Sequence, residues 1–536
     1  RRIQKEIPES TNYLRAYKFK DLYLYEQKHI RNVGILSLVA LLVFLATILN
    51  FVNLNTARAS LQAKETGLRK TFGASRMNIV RLIYSEIALI CLFAFLIAIV
   101  LAFAGSPLIA RLIGKGIDFR ALFSPVPLIV LSVVYLLTVI LAGTYPAFYL
   151  SSFTPAQILS SNYQTARNRG IFRNSLVVIM FAVSIILLTS TLIISRQTGF
   201  LLKMDLGFEK DRLLYVTLKG KLRDQVRVLK QELGQSQGIV SSSIISHLPT
   251  MIGNNGEGWN WEGKDPNFKP LVTSWETDED LIKTFNAEMV EGNFFNKDLQ
   301  GIVINKSFAD IIGWNSFEGK TLKNDSQYRI LGVIKDIHFN SLSTTTKPMV
   351  ISMISKSLTN YLMIKVNSSD IENTIDFISK TCQSIEPSFP VEYAFLSDRY
   401  TQMLSSETNL KKSLGIFSVF SIVVLCLGLL GMVIFRTDQK IKEIGIRRCL
   451  GEKPFSIIRH LTKSLLFSGI ISVIIAVPLT WYLMDRWLLN YAYRINLNIW
   501  VFFLSAIIII GIAIMSVSWQ SWTAATRNPV EALKYE

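Results

Sequence analysis

KETGLRKTFG (Lys64–Gly73) and KEIGIRRCLG (Lys442–Gly451) are one short passage written twice. Lys, Glu, Gly, Arg and Gly recur in register, and the Leu/Ile, Lys/Arg and Phe/Leu exchanges are conservative. Context gives the match its weight. Each copy follows a long apolar run, carries surplus positive charge and leads into another apolar run. A segment repeated at the same place in two membrane modules reads as a cytoplasmic connector with one task performed twice.

Working outward, the first connector, Ala57–Tyr84, holds Arg58, Lys64, Arg69, Lys70, Arg76 and Arg81 against Glu65. The second, Arg436–Lys463, holds eight basic residues against Asp438, Glu443 and Glu452. That excess puts both on the cytoplasmic side. Gly73-Ala-Ser75 reads as a helix stop followed by a new N-cap, so the connector is expected to be a short helix, a break, and the start of the next span.

The chain has 536 residues, 50% of them hydrophobic and 18% charged, with a mean hydropathy of +0.35. The apolar residues gather into runs near the roughly 20 residues that cross a bilayer. Seven spans are predicted: Gly34–Thr56, Glu86–Phe103, Pro125–Tyr145, Asn174–Ser195, Leu414–Phe435, Ser464–Met484 and Ile499–Val517. The net charge of +18 sits largely beside these runs, where the positive-inside bias accounts for it, so no nucleic-acid partner is implied. Trp481, Tyr482, Trp487, Tyr491 and Tyr493 at one turn, and Trp519 and Trp522 at an exit, read as aromatic belts.

Residues 196–412 are polar and mixed. Strands are predicted at Leu213–Leu218, Ile239–Ser246, Leu271–Trp275, Tyr328–Lys335, Met349–Met353 and Tyr361–Val366. Helices are predicted at Leu222–Gly234, at Asp370–Ile385 and from Ser397 onward. The fold class is therefore an α-helical membrane protein carrying an α+β extracytoplasmic domain, with room for two lobes. In order, we read 1–33 as the tail of a first extracytoplasmic domain and 34–160 as a first three-span module. Residues 161–195 form a linker and fourth span, 196–412 the α+β domain, and 413–536 a second three-span module. With both connectors inside, the α+β domain lies outside and the C-terminus inside.

At these residues the chain resembles the FtsX/MacB-type permeases of ABC transporters, in the bacterial form that joins two modules in one chain. The K-E-x-G-[IL]-R-[KR]-x-x-G connector, the tails that align Pro155 and Leu159 with Pro529 and Leu533, and LGVIKDIHFNSL (Leu331–Leu342) carry the resemblance. Such permeases begin with one more span and another periplasmic domain, which is why an N-terminal truncation is expected. The resemblance implies a mechanotransmission subunit of the bacterial inner membrane with its large domain in the periplasm. A separate ATPase dimer would bind ATP and dock on the connectors. Periplasmic or outer-membrane proteins would be further partners, and the chain itself would need no cofactor or metal. The cargo is not legible.

The residues agree with a subunit that is not an enzyme: no phosphate loop, H-E-x-x-H or nucleophile elbow occurs. The four cysteines and four histidines form no disulfide framework or ligand pattern. For docking we single out Lys64, Glu65, Gly67, Arg69 and Gly73, with Lys442, Glu443, Gly445, Arg447 and Gly451. Glu65 and Glu443 are set to pair with Arg69 and Arg447 one turn on. Gly67 and Gly445 permit close approach, and Gly73 and Gly451 turn the chain back. The plainer reading is a basic loop on anionic lipid, which would not require the glycines. Asn50, Asn53 and Asn55 read as groups that bond one helix to another. Trp259 and Trp261 are candidate ectodomain contacts, with a packed turn anchor as the plainer reading, and Asp336-Ile-His338 reads as a strand-end turn. A signalling scaffold with a sensing ectodomain is the alternative function. A secondary carrier is a further one, disfavoured because the first and fifth spans lack ionisable groups.

Overall fold

Helix α1 (His29–Thr71) is 43 residues long, at ~1.5 Å per residue more than twice the thickness of a bilayer core. The computed structural model describes residues 29–113, 123–152, 166–339, 342, 344–367, 370–439, 450, 452 and 454–525. Seven of its helices contain stretches long and apolar enough to cross a membrane: Arg31–Asn55, Arg76–Arg111, Pro125–Phe148, Asn174–Lys203, Ser405–Ile434, Thr462–Leu488 and Ile499–Gln520. They lie in α1, α2 (Arg76–Ile113), α3 (Pro125–Ser152), α4 (Ala166–Lys203), α11 (Ser405–Gln439), α12 (Pro454–Leu488) and α13 (Ile499–Ala525).

The first connector corrects one expectation. It is no separate short helix: α1 runs on through it without interruption to Thr71. The residues between span and turn, such as Ala63, Lys64 and Leu68, are good helix formers, so nothing in them interrupts the propagation of the helix.

The chain divides into two units. One comprises the residues up to Arg196 with Ser406–Trp487 and those from Asn496 on, and the other comprises Gln197–Ser405 with Leu488–Ile495. In the first, the helix-rich unit, two apolar clusters form. Ile79, Ile83, Ile87 and Cys91 of α2 meet Ala142 and Ala147 of α3. The second cluster surrounds α4, whose Val177, Met180, Phe181 and Ile185 pack with Leu425 and Leu429 of α11, Ala476 of α12 and Ala506 and Ile509 of α13. Small residues let these helices approach, and hydroxyls bond them: Ser184 to Ser421 at 2.8 Å, Thr191 to Ser418 at 3.1 Å, and Ser472 to the Val178 carbonyl at 2.9 Å. In lipid, packing and such bonds, not apolar burial alone, hold helices together.

The second unit is built on an 11-stranded mixed sheet. At one end β1 (Leu213–Thr217), β2 (Ile239–Ile245), β10 (Tyr361–Val366) and β11 (Tyr393–Phe395) pair antiparallel. Helices α6 (Val226–Leu233) and α9 (Ile371–Ile385), with α5 (Lys221–Asp224), cover this end. At the other end β4 (Val272–Thr277) runs parallel to β9 (Met349–Met353), and β6 (Ile302–Asn305) parallel to β8 (Gln327–Ile334). There α8 (Lys306–Ile312) packs Phe308 and Ile312 against Ile302, Ile330 and Val350. Between the ends, β2 and β4 share one register pair, Ile245 with Thr277. Two separate cores, each with its own cover of helices, make this an α+β domain of two lobes on one sheet. Short strands β3 (Asn255–Gly256), β5 (Met289–Gly292) and β7 (Thr321–Lys323) and helices α7 (Leu281–Phe285) and α10 (Leu396–Met403) complete the unit.

Candidate functional site: the paired modules and their elbows

Helix α1 ends because Gly73 can take φ +90°, a conformation that costs other residues dearly. The Ala74 amide donates to the Arg69 carbonyl and the Gly73 amide to the Lys70 carbonyl, each at 3.0 Å, the paired bonds of a Schellman stop. Ser75 then caps α2, its Oγ accepting from the Asn78 amide at 3.2 Å. The stop-and-cap reading of Gly73-Ala-Ser75 describes the turn itself. Arg69 bonds Glu65 at 2.7 Å one turn back; both are exposed, so the pair sets orientation and contributes little stability. Lys70 Nζ donates to the Ser151 carbonyl at 2.7 Å and Arg76 Nε to Ser151 Oγ at 3.3 Å. Two cations thus close the C-terminal end of α3, where carbonyls lack partners. Burial there, with Arg76 nearby, holds the Lys70 amine below its usual range.

What the turn leaves outside is apolar. Phe72 at its tip is 83% exposed, and in the register that sets Lys64 on Lys442 its counterpart is Leu450, 81% exposed. A large apolar side chain left exposed at each of two matched sequence positions costs solvation in water unless something covers it. In the sequence the two positions show only as a conservative Phe/Leu exchange, which carries no sign of exposure. Lys64 and Gly67 lie on α1; Lys442, Glu443, Gly445, Arg447 and Gly451 lie outside the described residues, as do Pro155, Leu159, Pro529 and Leu533.

The same register organises the first spans. Asn50 of α1 corresponds to Gly428 of α11, and the two touch: a Cβ at Gly428 would lie 2.2 Å from Asn50 Oδ1. Asn50 Nδ2 donates to the Val424 carbonyl at 2.9 Å. One turn along, a Cβ at Gly431 would meet Leu54 Cδ2 at 2.2 Å, and Asn53 Nδ2 reaches Met432 Sδ at 3.8 Å. Toward the helix starts, Asn32 Nδ2 donates to Ser406 Oγ at 2.8 Å. Two parallel helices that meet at equivalent positions are related by a local two-fold axis, as in an isologous interface. The asparagines of α1 therefore bond to α11, and the second copy carries glycines where the first carries Asn50 and Asn53.

In the sheet unit, Trp259 is buried against Tyr328 (ring centroids 5.8 Å). Trp261 stands edge-on to Phe308 and Phe268, with Lys264 Nζ 5.0 Å from its ring. These contacts make the pair a packed anchor of the loop. Asp336 accepts from Ser307 Oγ at 2.7 Å and from Asn305 Nδ2 and the Ser307 amide at 2.8 Å, fixing the end of β8 to the start of α8. Among the described residues no three His, Cys, Asp or Glu side chains are grouped to hold a metal. The Cys382 thiol is pushed up to about 11 by burial, which removes it as a nucleophile.

These elements define a class: a multispan membrane protein that carries an α+β sheet unit. Residues 37–155 and 415–529 match the family described as FtsX-like permease C-terminal. Among curated proteins, none matches the chain. Three solved structures are similar to part of the chain. The periplasmic region of MacB from Actinobacillus actinomycetemcomitans has 14% identity and a TM-score of 0.28, covering 38% of this chain and 97% of that one. A domain of a putative permease from Porphyromonas gingivalis has 13% identity and a TM-score of 0.26, covering 36% and 91%. The extracellular domain of the noncanonic ABC-type transporter YknZ from Gram-positive bacteria has 11% and 0.25, covering 34% and 98%.

Proposed function

We propose that the chain is the permease subunit of an ABC transporter, driven by a separate cytoplasmic ATPase dimer that seats on the two elbows. The carrying observation is the matched pair of exposed apolar tips, Phe72 and Leu450, on connectors of repeated sequence within the two stretches that match the FtsX-like family. A dimeric engine needs two equivalent handles, and an apolar tip beside basic side chains is a handle with an affinity core and a steering rim. ATP binding and hydrolysis would change the spacing of the elbows. Because α1 is one continuous helix from span to elbow, a push on the elbow is carried along a rigid rod and not absorbed in a joint. The paired α1–α11 seam, with its two-fold axis at Asn50 and Gly428, is the place where two modules moved symmetrically would pivot or part. The sheet unit would face outside, the bacterial inner membrane being the site, and its movement would act on the cargo there.

A photo-crosslinking amino acid at position 72 or 450, with the ATPase of the same system co-expressed, tests this. Crosslinks from both tips to the ATPase are expected, with Phe72→Glu and Leu450→Glu together abolishing co-purification. Labelling of either tip by an impermeant reagent from outside intact cells would overturn it, as would a folded complex whose tips crosslink only lipid.

A further inference from the structure

The stretch Leu488–Ile495 joins α12 to α13 in sequence, yet it belongs to the sheet unit. Two side chains hold it there. Gln197, fully buried, donates through Nε2 to the Tyr493 carbonyl at 2.8 Å. Its Oε1 accepts from the Ile495 amide at 2.9 Å. One primary amide thereby satisfies a carbonyl and an amide two residues apart, as a neighbouring strand would. The Tyr493 ring then stands edge-on to the imidazole of His338, interplanar angle 90° and centroids 5.0 Å apart.

His338 is itself a junction. Its amide donates to the Leu206 carbonyl at 2.9 Å, just beyond α4. Its carbonyl accepts from the hydroxyl of Tyr400, on α10 shortly before α11, at 2.8 Å. Its Nδ1 bonds Thr346 Oγ1 at 2.9 Å. Close by, Gly207 at φ +79° lies under the Asp336 carbonyl, where a Cβ would approach to 2.1 Å. The chain leaving α4, the chain entering α11 and the loop between α12 and α13 therefore converge on one residue of the sheet unit.

We propose that Gln197, His338 and Tyr493 form a latch that makes the 488–495 loop a third mechanical input to the sheet unit, beside the covalent connections at α4 and α11. This rests on the transport reading above: without an engine there is no force to carry. Covalent continuity alone lets α4 and α11 drag the sheet unit. The latch adds the α12–α13 pair, so that α4 and the three spans of the second module address the same junction. A loop that merely covered apolar surface would need no bidentate amide aimed at its backbone, because side-chain contact suffices for burial.

Amide exchange on the full chain in nanodiscs reads the latch directly, since the Ile495 amide is one of its bonds. In Gln197→Ala, and in Tyr493→Ala, exchange of the segment holding Ile495 should rise about tenfold, while Leu362 and Ile364 in the sheet core stay protected. Tyr493→Phe keeps the ring and should leave the segment unchanged. A second arm uses the ATPase-bound complex. Nucleotide-dependent exchange changes around residues 204–208 and 336–339 should fall at least severalfold in Gln197→Ala while ATP turnover persists. Unchanged Ile495 exchange in Gln197→Ala overturns the latch, and an undiminished nucleotide response overturns its role as an input. A wild-type chain that recruits no ATPase overturns the transport reading instead, leaving the Ile495 arm to judge the contact.

Discussion

Asn50 and Gly428 are the same position of a repeat, and they differ because they share an axis. Two asparagines facing each other there would bury two amides in the space that now holds one, so the second copy yields its side chain. Gly428→Ala would put a Cβ 2.2 Å from Asn50 Oδ1, displacing the amide from the Val424 carbonyl; a loss of about 1–3 kcal/mol is expected. Asn50→Ala forfeits one interhelical bond, worth ~0.6 kcal/mol. The double variant should lose far less than the sum, because the clash has gone with the amide. Chemical unfolding in detergent, run as a double-mutant cycle, checks it. His338 gives a second test. Burial pushes its imidazole below the usual 6.5, with Asp336 and Asp205 pulling the other way. A lowered value means the unfolded chain takes up the proton first as pH falls. The stability is therefore whole above about 6.5 and declines below it. Between pH 7.5 and 5 the unfolding midpoint of wild type should fall more than that of His338→Gln. Equal falls would show that His338 stays charged in the fold or never senses the pH.

At the scale of elements, the sheet unit keeps a charge inside. Lys230 of α6 bonds both Asp278 and Asp280 beside β4, and Asp278 accepts from Ser243 Oγ of β2 at 2.7 Å. The ends of the cluster respond oppositely. Burial outweighs Lys230 at Asp278 and raises that carboxyl, whereas at Lys230 the two carboxylates together outweigh burial and raise the amine. The cluster ties α6 and β2 to the residues just past β4, across the seam where β2 and β4 share one register pair. Lys230→Met removes the cation and leaves Asp278 buried and charged. A loss of about 3 kcal/mol at pH 7 is expected, shrinking toward pH 4 as the carboxyl takes a proton. Unfolding followed at both pH values decides: an equal loss at each would show that packing of the Lys230 stem, and not the charge, is what matters.

For the whole molecule, the proposed reading pairs a repeated input, the two connectors of matched sequence, with a single output, the sheet unit. The modules repeat, so an engine with two-fold symmetry can hold both. In the chain the sheet unit follows α4 and precedes α11, and it includes the 488–495 loop. Severing the latch should therefore leave ATPase recruitment at Phe72 and Leu450 intact while weakening the response beyond the membrane. Two further aromatics beside the latch, Trp487 and Tyr491, are buried, unlike Trp481, Tyr482, Trp519 and Trp522, whose rings are open enough to meet lipid. The belt expected at that turn is thus divided between lipid contact and packing.

Composition and period were enough to read seven spans, the six strands β1, β2, β4, β8, β9 and β10 and the Gly73 turn, because each follows from local chemistry: apolar length, alternation, a glycine free to take positive φ. Strands β3, β5, β6, β7 and β11 and helices α7 and α8 escaped because runs of two to seven residues carry too little periodicity to separate helix from strand. The pairing of Asn50 with Gly428 and the meeting of Gln197, His338 and Tyr493 were decided only by tertiary structure. Those contacts join residues separated by hundreds of positions, and a side chain's partner at that range is set by how helices and strands pack, which no local pattern records.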